Sequence, residues 1–73
     1  MPQTYTDRHP DGSYITFDQA QPGDLIGERH GTDGDLRFGI VTETRNHGAF
    51  VEGTDGQRRF VRHGRMFGVA RPT

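Results

Sequence analysis

The chain has no cysteine, no tryptophan and no lysine, and only 29% of its 73 residues are hydrophobic. Without cysteine, neither a disulfide framework nor a thiolate metal site can stabilise it. No apolar run approaches the roughly 18 residues of a membrane span, and the N-terminus lacks a basic-then-apolar signal pattern, so a cytoplasmic protein without a membrane partner is expected. A domain of this size buries only about 60% of its chain surface and is marginal unless the sheet closes or the protein self-associates. All nine basic residues are arginine, which reflects either GC-rich coding or a use of guanidinium chemistry.

What is present is turn chemistry. Glycine occurs 11 times. The stretch 48–63 places two runs of aromatic and β-branched residues on either side of Asp55-Gly56, a strong hairpin signal. A two-residue turn there predicts that Thr54 faces Gln57, Glu52 faces Arg59, Phe50 faces Val61, and Val51 pairs with Phe60 on the alternate face. The words G-T-D-G-x-x-R-F run from Gly53 to Phe60 and also from Gly31 to Phe38. They predict a second hairpin joining 25–30 to 36–45, whether by reuse of a favourable turn or by duplication of a hairpin.

Along the rest of the chain, residues 1–12 read as a flexible arm ending in a turn at Pro10-Asp11-Gly12. Residues 13–17 alternate as a strand, and 18–23 form a loop or single helical turn that Asp18 would cap. In 36–45, Leu36, Phe38 and Ile40 share one face and Arg37, Gly39, Val41 and Glu43 the other. Gly39 marks a bulge or a close backbone approach. Residues 66–70 close the sheet and 71–73 fray. The expectation is an all-β domain over 13–70: five to six short antiparallel strands in an up-and-down meander.

The segments Pro22-Gly23-Asp24-Leu25-Ile26 and Gly39-Ile40-Val41, followed by Val51-Glu52-Gly53, resemble the opening strand and G-x-V core of the SH3-like small barrels and their KOW and Sm-like relatives. The resemblance covers Gly23 to Ala70, about two-thirds of the chain. It implies a small SH3-like barrel with Asp55-Gly56 at the distal hairpin and His63-Gly64-Arg65 as a short 3₁₀ turn. The chain departs from the family in two respects. It lacks the tryptophan and aromatic-rich loop of proline-peptide grooves, and the leading loop lacks the basic cluster of ribosomal KOW domains.

Charge is asymmetric along the chain. Residues 1–35 carry a net −5 and residues 36–73 a net +4, within a total of −1. The basic half concentrates Arg58, Arg59, Arg62 and Arg65 around Phe60 and His63. Arginine forks suit phosphate oxygens and an exposed aromatic suits a base, so this hairpin is the candidate nucleic-acid contact, with Arg37, Arg45 and His63 assisting. Strand alternation sends Arg58, Phe60 and Arg62 one way and Arg59, Val61 and His63 the other, with Phe60 and Val61 both expected to be buried. The expected function is a non-catalytic binding module for nucleic acid, DNA or RNA. The rival is a protein-interaction adaptor, such as an accessory protein of a phage, plasmid or operon, docking through its acidic half or a sheet edge. An RNase-like set of Glu43, Arg45 and His47, with Glu28 and His30 on a neighbouring strand, is the enzymatic alternative. His9, His30, His47 and His63 lack metal-motif spacing, and residues 32–35 lack the glutamate of a calcium loop, so no metal or cofactor is expected.

Overall fold

The computed structural model of the chain describes residues 3–31 and 34–73. Among these residues six strands, β1 (Tyr5–Thr6), β2 (Leu25–His30), β3 (Asp35–Arg45), β4 (Gly48–Gly53), β5 (Arg58–Arg62) and β6 (Met66–Pro72), form one antiparallel sheet in the order β1-β6-β2-β3-β4-β5. Two 3₁₀ turns, Phe17–Gln19 and His63–Arg65, complete the regular structure, and no α-helix occurs among the described residues. The all-β reading holds, as does the turn at 63–65. No helix among the described residues is long and apolar enough to cross a membrane.

The core is built from small and β-branched side chains: Ile15, Ala20, Ile26, Val41, Ala49, Val51, Val61, Met66 and Val69. Branched side chains pack well on a pleated surface, and burying one contributes about 1.5–3 kcal/mol. None of the five phenylalanines is fully buried. Phe17 packs on the core edge, and Phe38, Phe60 and Phe67 are exposed. Phe60 was expected inside and is 37% exposed, because the residue that follows it, Val61, takes the inward position.

The hairpin at Asp55-Gly56 forms one residue out of the expected register. Its pairs are Ala49 with Val61, Phe50 with Phe60, Val51 with Arg59 and Glu52 with Arg58. Gly53 N–H donates to Gln57 O (3.0 Å), Gly56 N–H donates to Gly53 O (3.0 Å), and Gly56 has φ +76°. This is a three-residue loop in which only the glycine is left-handed; a two-residue loop would need Asp55 there as well. Asp55 instead accepts a hydrogen bond from Gln57 N–H on its own side chain (3.0 Å), which holds it in an ordinary conformation.

β2 pairs with β3 as expected, from Leu25 opposite Ile40 to His30 opposite Asp35. Residues 32–33, the centre of that turn and of the calcium-loop comparison, lie outside the described residues. Gly39 fulfils the close-approach reading: a Cβ there would lie 3.1 Å from Glu52 O. The bulges themselves fall elsewhere, between Val41 and Glu43 against β4 and beside Gly27 and Glu28 against β6.

Residues 13–17 do not form a strand. Tyr14 makes one isolated bridge to Arg8, Ile15 is buried, and Phe17 already begins the 3₁₀ turn. Thr16 rather than Asp18 precedes that turn, its N–H donating to the Gln19 side chain (3.3 Å). The sixth strand comes from residues 1–12 instead: β1 pairs Tyr5 with Pro72 and Thr6 with Arg71. The tail expected to fray therefore belongs to β6. Asp24, 1% exposed, receives the Arg71 guanidinium through two hydrogen bonds (3.1 and 3.2 Å), and Gln21 N–H supplies a third (2.8 Å). A buried carboxylate needs such partners, since an uncompensated buried charge costs several kcal/mol.

Candidate functional site

The expected arginine cluster is divided by the sheet. Arg59 points inward beside Val61. Its guanidinium crosses the face of Gly53, where a Cβ would lie 3.2 Å from Nη1, and reaches Glu28 of β2 at 2.8 Å. Both side chains are largely shielded, so this pair links β5 to β2 through the interior. Arg59 is thus a structural cation. Arg37 stands opposite Glu28 on the same inner face, exposed and without a side-chain partner among the described residues. Arg65 is exposed in the 63–65 turn, and His63 is half-buried with its backbone N–H held by His47 O (2.9 Å).

The outer face of β4 and β5 collects the others. Arg58, Phe60 and Arg62 alternate onto it as the period-2 rule requires, and all three are exposed. Phe50 lies beside Phe60, ring centroids 5.2 Å apart and planes inclined 65°. Two guanidinium groups lie over the Phe50 ring, Arg58 at 4.6 Å and Arg45 at 5.4 Å from its centroid. Gly48 provides the seat for Phe60: a Cβ there would fall 2.9 Å from the ring tip and 2.2 Å from Val61 O.

Glu43 sits at the centre of this face. Its carboxylate bonds Arg45 through Oε1 (2.7 Å) and Arg58 through Oε2 (2.9 Å). The β3 bulge puts it there. The register passes from Val41 opposite Val51 directly to Glu43 opposite Phe50, leaving Thr42 as the extra residue. Uninterrupted alternation would have turned Glu43 inward with Val41. The Arg45 hydrogen bond, reinforced by the charges of Arg45 and Arg58, holds the Glu43 carboxyl below its ordinary value.

The RNase-like set does not converge. Glu43 faces outward and is engaged by two arginines, Glu28 faces inward and is engaged by Arg59, and His47 is exposed in the β3–β4 turn. The His30 side chain lies outside what is described. Among the described residues no three histidines and carboxylates gather as a metal site. A shallow cleft of about 320 Å³ lies between the two hairpins, lined by Leu36, Arg37, Phe38, Thr54, Asp55 and Arg59.

Sequence reasoning passed over Phe50 and underrated Phe60 and Glu43. The signal for Phe60 was present in the alternation Arg58-x-Phe60-x-Arg62, which marks a face that is polar except at its middle. Nothing local marks Glu43, because an unpaired extra residue is decided by the partner strand. No protein-family model, curated protein or solved structure matches this chain.

Proposed function

We propose that the chain is a small, non-catalytic, cytoplasmic binding module of SH3-like barrel type that contacts nucleic-acid phosphates through the outer face of β4 and β5. The barrel reading is supported by the strand order, in which β6 pairs with β2 and the 3₁₀ turn His63–Arg65 precedes β6. The binding reading rests on one observation: Arg58, Phe60 and Arg62 share one exposed face, with Arg45 beside them over Phe50. Of the arginines first considered, Arg45, Arg58 and Arg62 carry this role. Arg37 is on the inner face, Arg65 and His63 belong to the turn after β5, and Arg59 holds the fold together.

Salt titration tests the reading. Three phosphate contacts predict that log affinity falls with log salt at a slope near −2.1 on a single strand or about −2.7 on a duplex. Arg58→Ala with Arg62→Ala should abolish retention of a labelled oligonucleotide while leaving the fold intact. A binding curve indifferent to salt, or a double variant that binds as before, removes the proposal. A second reading has its own observation: Leu36, Phe38 and Phe67 form an exposed apolar group, 52%, 49% and 41% exposed, of the kind that marks a protein-docking surface. It predicts that Phe38→Ser changes partner binding or self-association and leaves oligonucleotide affinity unchanged.

A further inference from the structure

The outer face of β4 and β5 treats its two rings differently. Phe50 is half-buried and lies beneath two guanidinium groups. Phe60 is 37% exposed, is fixed edge-to-face against Phe50 and over Gly48, and among the described residues no guanidinium lies over its ring. A held ring, part-exposed and with no guanidinium over it, is suited to stacking a base. In a duplex the base faces are already stacked on one another and only their edges reach the grooves, so such a ring serves an unpaired base.

Glu43 adds a second element. Its two oxygens engage separate guanidinium groups, at 2.7 and 2.9 Å, in the manner of a phosphate held between two arginines. The pairs are surface ones, about half exposed, and a surface ion pair contributes little and exchanges readily. We propose that the ligand of this face is single-stranded nucleic acid, one base stacking on Phe60 while a neighbouring phosphate displaces the Glu43 carboxylate from Arg45 and Arg58. This rests on the phosphate-contact reading above. Glu43 then acts as an internal competitor that a ligand's phosphate must displace from Arg45 and Arg58, which weakens binding.

The test compares a fluorescein-labelled thymidine oligonucleotide with its duplex, by anisotropy at low salt, on wild type, Phe60→Leu, Glu43→Gln and Glu52→Gln. Glu52 lies on the same outer face, opposite Arg58, but forms no ion pair with it, so E52Q controls for a general change of charge. Expected are tighter binding of the single strand than of the duplex and a loss of roughly 5- to 150-fold in F60L, the span of base–aromatic stacking, on the single strand alone. E43Q should tighten single-strand binding several-fold more than E52Q. Ring-proton shifts of Phe60 on adding the oligonucleotide to wild type give the same answer without a variant. Equal affinity for both forms with F60L unchanged overturns the stacking inference and leaves phosphate contact standing. Equal effects of E43Q and E52Q overturn the displacement. Binding to neither form overturns the underlying reading.

Discussion

The two hairpins share eight positions of sequence pattern and close differently. In the first, four residues separate the closing pair His30 and Asp35, and both Gly31 (φ +73°) and Gly34 (φ +81°) are left-handed. In the second, three residues separate Gly53 from Gln57 and only Gly56 is left-handed. Both nevertheless send the arginine inward and the phenylalanine outward: Arg37 and Arg59 face Glu28, and Phe38 and Phe60 each meet another ring edge-to-face. The same turn words, with glycine at the same places, therefore specify that the chain reverses. The loop length goes with the first glycine's backbone, left-handed at Gly31 and not at Gly53, and the flanks set the chemistry. Around Phe60 the flanks are arginine and a bulge-borne glutamate. Around Phe38 they are Leu36 and Phe67.

The sharpest way to break this comparison is at the glycines beneath Phe60 and Phe67, the latter being the ring that Phe38 meets. Gly48→Ala would drive a Cβ to 2.2 Å from the carbonyl of Val61, which is backbone and cannot yield, so a loss of about 3 kcal/mol is expected by chemical denaturation. Gly27→Ala meets the outer end of the Phe67 ring, which can swing away, and should cost about 1 kcal/mol. Equal losses would show that the two seats are alike after all.

The inward arginines give the next largest contrast. Arg59→Ala leaves Glu28, whose side chain is 13% exposed, without its partner and should cost about 2 kcal/mol. Arg37→Ala removes an exposed group with no partner among the described residues and should stay within about 0.5 kcal/mol. Comparable urea midpoints for the two variants would contradict the division between structural and free arginines. Gly56→Ala, at φ +76°, should cost about 1 kcal/mol through the turn alone.

The smallest effect is acid-dependent and lies where Glu43 of β3 meets Arg45 and Arg58. Because the folded Glu43 carboxyl titrates below its ordinary value of 4.5, the stability it contributes is present above that value and is lost as pH falls through the folded one. Thermal melts from pH 6 down to pH 3 should show the wild type converging on Glu43→Gln at the acid end. A constant gap between the two across that range would mean that the Arg45 and Arg58 pairs add nothing to the fold.

Much of this was legible in the chain. Asp-Gly words, short alternating runs and the 63–65 turn indicated an all-β domain, and alternation alone grouped Arg58, Phe60 and Arg62. The register of β4 and β5 was not legible, because it depends on whether Asp55 or only Gly56 turns left-handed, and both choices are open to that dipeptide. Nor was β1, whose two residues pair only because β6 extends to Pro72 beside them. The Arg59–Glu28 pair joins residues 31 apart, a distance over which no local pattern reports.

By itself, the order of residues determined that this chain reverses at glycines, alternates along its strands and carries its cations late. Those are local matters of steric freedom and of a side-chain period of two. Which arginine is spent inside and which faces solvent was decided only when strands distant in sequence met. One extra residue at Thr42 turned Glu43 outward, and one missing side chain at Gly53 let Arg59 through. Packing between strands sets such choices, and packing is a property of the assembled sheet.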